Sequence, residues 1–156
     1  MESTPDNPIL LFHVLHRAHR NAVDALLSRQ GLQDVGSPMI LMLLQSCENG
    51  QITAQKNLAD RLHVSPATIA TSLKSLERMG YVSKQPDQTD TRRKRVQLTP
   101  KGACAVGTCR QIFQEIDRTL YSGFTQEELT QLEGFHRRML QNLLQVAGAN
   151  SERKEG

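Results

Sequence analysis

The chain has 156 residues, 38% of them hydrophobic and 22% charged, with a formal net charge of +3. That is enough for one ordinary domain with a buried core, and the balance excludes a disordered chain. Ten Gly and six Pro are too few for an all-β fold of many short strands, and two Tyr, four Phe and no Trp are too few for most carbohydrate or base-stacking surfaces.

In chain order, a first helix is predicted from Pro8, with Asp6 or Asn7 as its cap. Ile9, Phe12, Leu15, His16, His19, Val23, Leu26 and Leu27 fall at helical spacing before Gly31. Their stripe is broad, as expected of a terminal helix that also meets a second subunit. Ser37-Pro38 opens a short apolar helix, Met39 to Cys47, which Glu48-Asn49-Gly50 ends. Ile52-Thr53 reads as a brief extended segment, with Thr53 placed to cap a helix carrying Leu58, Ala59 and Leu62. After a turn at His63-Val64, Ser65-Pro66 repeats the capping device. The helix that follows sets Ile69, Leu73 and Leu76 on one face, and Gly80 supplies a left-handed stop.

The period then changes from 3.6 to 2. Tyr81–Lys84 and Arg95–Leu98 read as antiparallel strands joined by a polar loop, 86–93. Thr99-Pro100 starts a helix to about Ser122, with Val106, Ile112, Phe113 and Ile116 among its apolar positions. Thr125 to Glu128 is a capping box for a last helix whose Leu132, Phe135, Met139, Leu140, Leu143 and Leu144 approach a heptad seam. Residues 148–156 form a polar tail. The fold class is mainly α with a small β-hairpin (α+β), a winged helix-turn-helix lobe over 37–99 with long helices on either side.

Charge is unevenly placed. Residues 1–37 carry three Lys/Arg against four Asp/Glu, residues 38–103 ten against five, and residues 104–156 six against seven. The whole basic excess lies in the middle third, the footprint expected of a surface that meets phosphate.

The helix opened by Ser65-Pro66 has the residue types that reading a major groove requires. With Ile69, Leu73 and Leu76 inward, the opposite face holds Ala67, Thr68, Thr71, Lys74, Ser75 and Arg78. Small and hydroxyl side chains come first, where the helix approaches base edges, and cations follow, where the groove wall brings phosphates. From Lys84 to Arg95 there are five cations and two anions, concentrated in Arg92, Arg93, Lys94 and Arg95. An arginine on a narrow hairpin tip suits the minor groove, where the negative potential is deepest. Asp90 is placed to orient Arg92 through a bidentate pair.

Asp90-Thr-Arg92 followed by a basic segment and Val96-Gln-Leu98-Thr99-Pro-Lys-Gly102 resembles the wing signature of the MarR transcription regulators. Leu58-Ala59, Val64-Ser65 and the run Thr68 to Gly80 are similar to that family's helix-turn-helix, and the resemblance covers roughly residues 8–147. It implies a single domain, 1–147, in which 8–36 and 100–147 are dimerisation helices and 37–99 the DNA-binding lobe. It further implies a homodimer on a pseudo-palindromic site in double-stranded DNA, its recognition helices about one DNA turn (near 34 Å) apart. By position, Ser65 to Arg78 match the recognition helix, Arg92 the wing arginine and Asp90 its acidic brace. Many members release DNA on binding a small phenolic or amphipathic effector, and by this analogy Phe12, His16, Met39, Met42, Leu43 and Phe113 would line its pocket. His13 and His16 stand where the peroxide-sensing subgroup has a cysteine.

Other readings are weaker. His13, His16 and His19 turn too far around one helix to share a metal, so no metal or cofactor is expected. Cys47, Cys104 and Cys109 are odd in number and lack CxxC spacing, which leaves redox sensing through Cys47 as an alternative. A winged helix turned protein-interaction module without DNA binding is a second alternative, disfavoured by the one-signed wing. There is no GxSxG, GxxxxGK[ST] or HExxH, so an enzyme is not expected. The longest apolar run, Met39 to Leu44, cannot span a bilayer, and Glu2 and Asp6 spoil a signal peptide. A cytoplasmic transcriptional regulator, more plausibly a repressor than an activator, is the expectation.

Overall fold

A computed structural model of the protein describes residues 7–46, 53–86 and 94–152. Six helices and three short strands run in the order α1 (Pro8–Arg29), α2 (Pro38–Ser46), β1 (Thr53–Ala54), α3 (Gln55–Leu62), α4 (Pro66–Arg78), β2 (Val82–Pro86), β3 (Lys94–Leu98), α5 (Pro100–Leu120) and α6 (Gln126–Glu152). The chain divides into two compact units, residues 1–116 and 117–156.

The helix starts use the expected caps. Asn7 Oδ1 accepts the Ile9 N–H at 2.9 Å, and Ser65 Oγ accepts the Thr68 N–H at 3.1 Å, so each satisfies an orphan donor of its first turn. In the capping box, Thr125 Oγ1 accepts the Glu128 N–H at 3.2 Å while Glu128 takes the Thr125 N–H at 2.7 Å. Those donors hold the exposed Glu128 carboxyl below the usual glutamate range. Helix α4 ends where Gly80 adopts a φ of +78° and the Tyr81 N–H returns to the Leu76 carbonyl at 2.9 Å. The same device closes α3 without glycine: His63 takes a φ of +51°.

The strands form one antiparallel sheet in the order β1-β3-β2. Val82 pairs with Leu98, and Lys84 with Val96, which also faces Thr53. The wing is therefore a hairpin plus a third strand. Thr53 is extended as expected and pairs with β3, but α3 begins at Gln55, so Ala54 and not Thr53 directly precedes the helix. Helix α6 continues to Glu152, past the start of the expected polar tail: Gly148 is taken into the helix and no proline interrupts 147–152.

The first unit holds the core. Leu41 of α2, Leu58 of α3, Ile69, Leu73 and Leu76 of α4, Val96 of β3, and Val106 and Cys109 of α5 are fully buried. At roughly 25 cal/mol per Å² of apolar surface, each large side chain contributes about 2 kcal/mol. Helix α1 reaches the core through Val23 and Leu27, with Leu26 packed half-buried against it; Ile9, Leu10, Leu11, Phe12, Val14 and Leu15 are exposed. In the second unit no described side chain is buried, and Phe135, Met139, Leu140, Leu143, Leu144 and Val146 of α6 are all exposed.

Candidate nucleic-acid interface

Helix α4 divides cleanly into two faces. Ile69, Leu73 and Leu76 are 1%, 0% and 2% exposed, while Ala67, Thr68, Thr71, Lys74 and Arg78 are exposed and Ser75 is half-buried. The 13-residue helix is about 20 Å long, a fit for a major groove. Lys74 and Arg78 lie one turn apart towards its C-terminus.

Several of the hydroxyls on that face already have partners. Ser65 Oγ and Thr68 Oγ1 are 2.8 Å apart, and Thr71 Oγ1 donates to the Ala67 carbonyl at 3.1 Å. Each retains acceptor capacity, and a base or phosphate competes with a local bond at each. Pro66 is exposed at the first helical position, and its carbonyl accepts from Gln55 Nε2 at 3.4 Å. This brace from α3 to α4 was not legible in the sequence, since the two residues are eleven apart and neither belongs to a recognisable pair.

The wing is partly placed. Asp90, Arg92 and Arg93 lie outside the described residues, as does Cys47. Lys94 opens β3 opposite Pro86, and half-buried Arg95 stands between Ala54 and Gln85 in the middle strand of the sheet. Lys84, counted among the wing cations, is turned to Glu77 of α4 at 3.1 Å. That pair joins the base of the wing to the helix and offsets the acidic charge of Glu77.

Behind the helix, the exit of α4 is bound to the start of α5. Lys101 Nζ donates to the Met79 carbonyl at 2.7 Å and sits 4.2 Å from the Tyr81 ring centre. The Thr99 hydroxyl donates to the Gly80 carbonyl at 2.6 Å, and its N–H to the Tyr81 carbonyl at 3.1 Å. Tyr81 is itself buried, with its hydroxyl donating to Asp34 at 2.7 Å. Burial, then the Asp34 bond and charge, push its phenol up to about 12. Gly102 lies against the same junction, where a Cβ would meet the Tyr81 oxygen at 2.0 Å.

The six residues expected in an effector pocket are dispersed in exposure. Phe12 and His16 are exposed on α1, while Met42, Leu43 and Phe113 pack half-buried against the core. Met39, 46% exposed, lines a cleft of about 240 Å³ with Pro38, Ile40, Leu62, Val64 and Ile69. His13 meets Phe12 edge-on at 5.7 Å, and among the described residues no three His, Cys, Asp or Glu side chains gather as a metal site would require. Burial pushes the Cys109 thiol up, which keeps it from the reactive thiolate form; Cys104 is exposed. No helix among the described residues is long and apolar enough to cross a membrane.

Comparison with known proteins agrees with this geometry. Residues 39–102 match the family of the winged helix DNA-binding domain. The HTH-type transcriptional regulator YybA of Bacillus subtilis (strain 168) is 29% identical over 110 residues, covering 70% of this chain and 73% of that protein. Among solved structures, MepR of S. aureus in complex with DNA superposes with a TM-score of 0.78 at 25% identity, over 88% of this chain and 99% of that one. The transcriptional regulator SlyA gives 0.75, also at 25% identity, over 88% and 94%. Both are MarR-family regulators. A helix with a buried back and a basic front, a sheet-based wing beside it, and these likenesses together show a winged-helix DNA-binding domain over residues 39–102 and make the chain similar to MarR-type transcriptional regulators.

Proposed function

We propose that the protein is a cytoplasmic homodimeric repressor that binds a pseudo-palindromic operator and leaves it when a small amphipathic or phenolic molecule binds. The carrying observation is the two-faced α4, anchored by Ile69, Leu73 and Leu76 and offering Thr68, Thr71, Lys74 and Arg78. On this reading Ser65, Pro66, Ala67 and Thr68 approach base edges at the helix start. Lys74, Ser75 and Arg78 meet the groove wall, and Arg92 and Arg93, with Lys94 and Arg95 behind them, follow the wing into the minor groove. Asp90 orients Arg92.

Dimerisation is supported by each unit separately. The first turns of α1 leave Ile9, Leu10, Leu11 and Phe12 exposed, and α6 by itself leaves Phe135, Met139, Leu140, Leu143 and Leu144 exposed, apolar side chains of the kind a partner covers. On this reading a second copy is what each of these helices meets, and residues 1–147 form one functional domain. Effector release rests on analogy with the family, with Phe12, His16, Met39, Met42, Leu43 and Phe113 as the lining. Protection mapping on the DNA flanking the protein's own gene tests the whole reading. Two protected half-sites about one helical turn apart, lost on adding phenolic compounds, are expected. An unprotected duplex would refute it.

A further inference from the structure

The carbonyls of Met79, Gly80 and Tyr81 are the last of the recognition helix and its exit, and a helix leaves such groups without internal partners. All three are taken up by residues 99–101: Met79 by Lys101 Nζ at 2.7 Å, Gly80 by the Thr99 hydroxyl at 2.6 Å, and Tyr81 by the Thr99 N–H at 3.1 Å. Gly102 fits because it has no side chain; a Cβ there would lie 2.0 Å from the Tyr81 oxygen. Lys101 brings a full positive charge to the negative end of the α4 dipole, and its ammonium lies over the Tyr81 ring at 4.2 Å. The charge acts at the C-terminal end of the helix, just beyond Arg78.

We propose that Lys101 is a positioning residue for DNA recognition: it fixes the pitch of α4 against the first turn of α5, so that base-reading side chains arrive in register. The proposal rests on the DNA-binding reading above and deepens it. Phosphate contacts tolerate small tilts of a helix because charges act over distance, whereas base-edge hydrogen bonds do not. Lys101 therefore governs discrimination between sequences more than general affinity for duplex.

The test compares wild type, Lys101→Met and Lys101→Arg on two duplexes, the protein's own upstream DNA and a random sequence of equal length, over a range of salt. Met keeps an apolar stem and removes the charge; Arg restores it. Lys101→Met is expected to lose about fivefold in discrimination, the size of an exposed charge at a helix terminus. Its salt slope and its affinity for random DNA stay as in wild type, and Lys101→Arg recovers most of the loss. Unchanged discrimination in Lys101→Met overturns the proposal. So does a salt slope lower by about one unit, which would make Lys101 a phosphate contact. A wild type with no salt-dependent affinity for either duplex would bring down the DNA-binding reading, and this proposal with it.

Discussion

The phenol of Tyr81 donates a 2.7 Å hydrogen bond to the carboxylate of Asp34, across 47 residues of chain. It ties the loop between α1 and α2 to the residue at which the recognition helix turns into the wing. Tyr81→Phe removes the donor and leaves half-buried Asp34 short of a partner, at a cost of about 1–2 kcal/mol in thermal or urea unfolding. The pH dependence has a definite sign. A phenol raised from 10.0 to about 12 on folding stabilises the protein fully below pH 10, and that contribution fades as pH rises towards 12. Tyr81→Phe should therefore lose less stability than wild type across that alkaline window.

Gly102 and Gly107 lie on the same helix and should respond oppositely to alanine. At Gly102 the new methyl would meet the Tyr81 carbonyl at 2.0 Å and Leu98 Cδ2 at 3.2 Å. Backbone must move, and about 3 kcal/mol of stability should be lost. At Gly107 nothing lies within 4 Å, so alanine should stabilise α5 by about 0.5–1 kcal/mol through helix propensity. Denaturation midpoints of the two variants check both signs.

Leu140 is 45% exposed on α6, in a unit where no described side chain is buried. Leu140→Asp should keep the fold of the first unit and abolish the dimer, with a folded monomer of poor DNA affinity seen by light scattering and gel shift. A variant that stays dimeric at the wild-type concentration contradicts the assigned interface.

Arg92 lies outside the described residues, and its assignment to the wing tip rests on the sequence. Arg92→Ala should weaken operator binding by about 1–3 kcal/mol if the guanidinium reads the minor groove. If it meets only phosphate, the salt slope falls by about one unit. Wild-type affinity in a gel-shift titration removes it from the interface.

Much of this architecture was readable from local chemistry. Hydroxyl-proline pairs at Ser37-Pro38, Ser65-Pro66 and Thr99-Pro100 marked three helix starts because a cap and a preset φ act within one turn. The two faces of α4 followed from period alone. What escaped were contacts between residues distant in sequence: Gln55 with Pro66, Glu77 with Lys84, Asp34 with Tyr81, Lys101 with Met79. Period and capping say nothing about which polar groups meet across elements. Lys84 shows the consequence, since a cation counted towards phosphate is paired within the protein. Thr53 shows another, because strand pairing with β3 runs on to Ala54, which and not Thr53 directly precedes α3.

The most direct test is how affinity for the protein's own upstream duplex changes with salt. A two-lobed grip through α4 and the wing predicts log K falling linearly with log salt, with a slope near −0.9 for each phosphate neutralised and about 6–10 phosphates in all. Binding that stays constant from 50 to 200 mM salt, or no binding at all, would contradict a basic helix and wing closing on DNA.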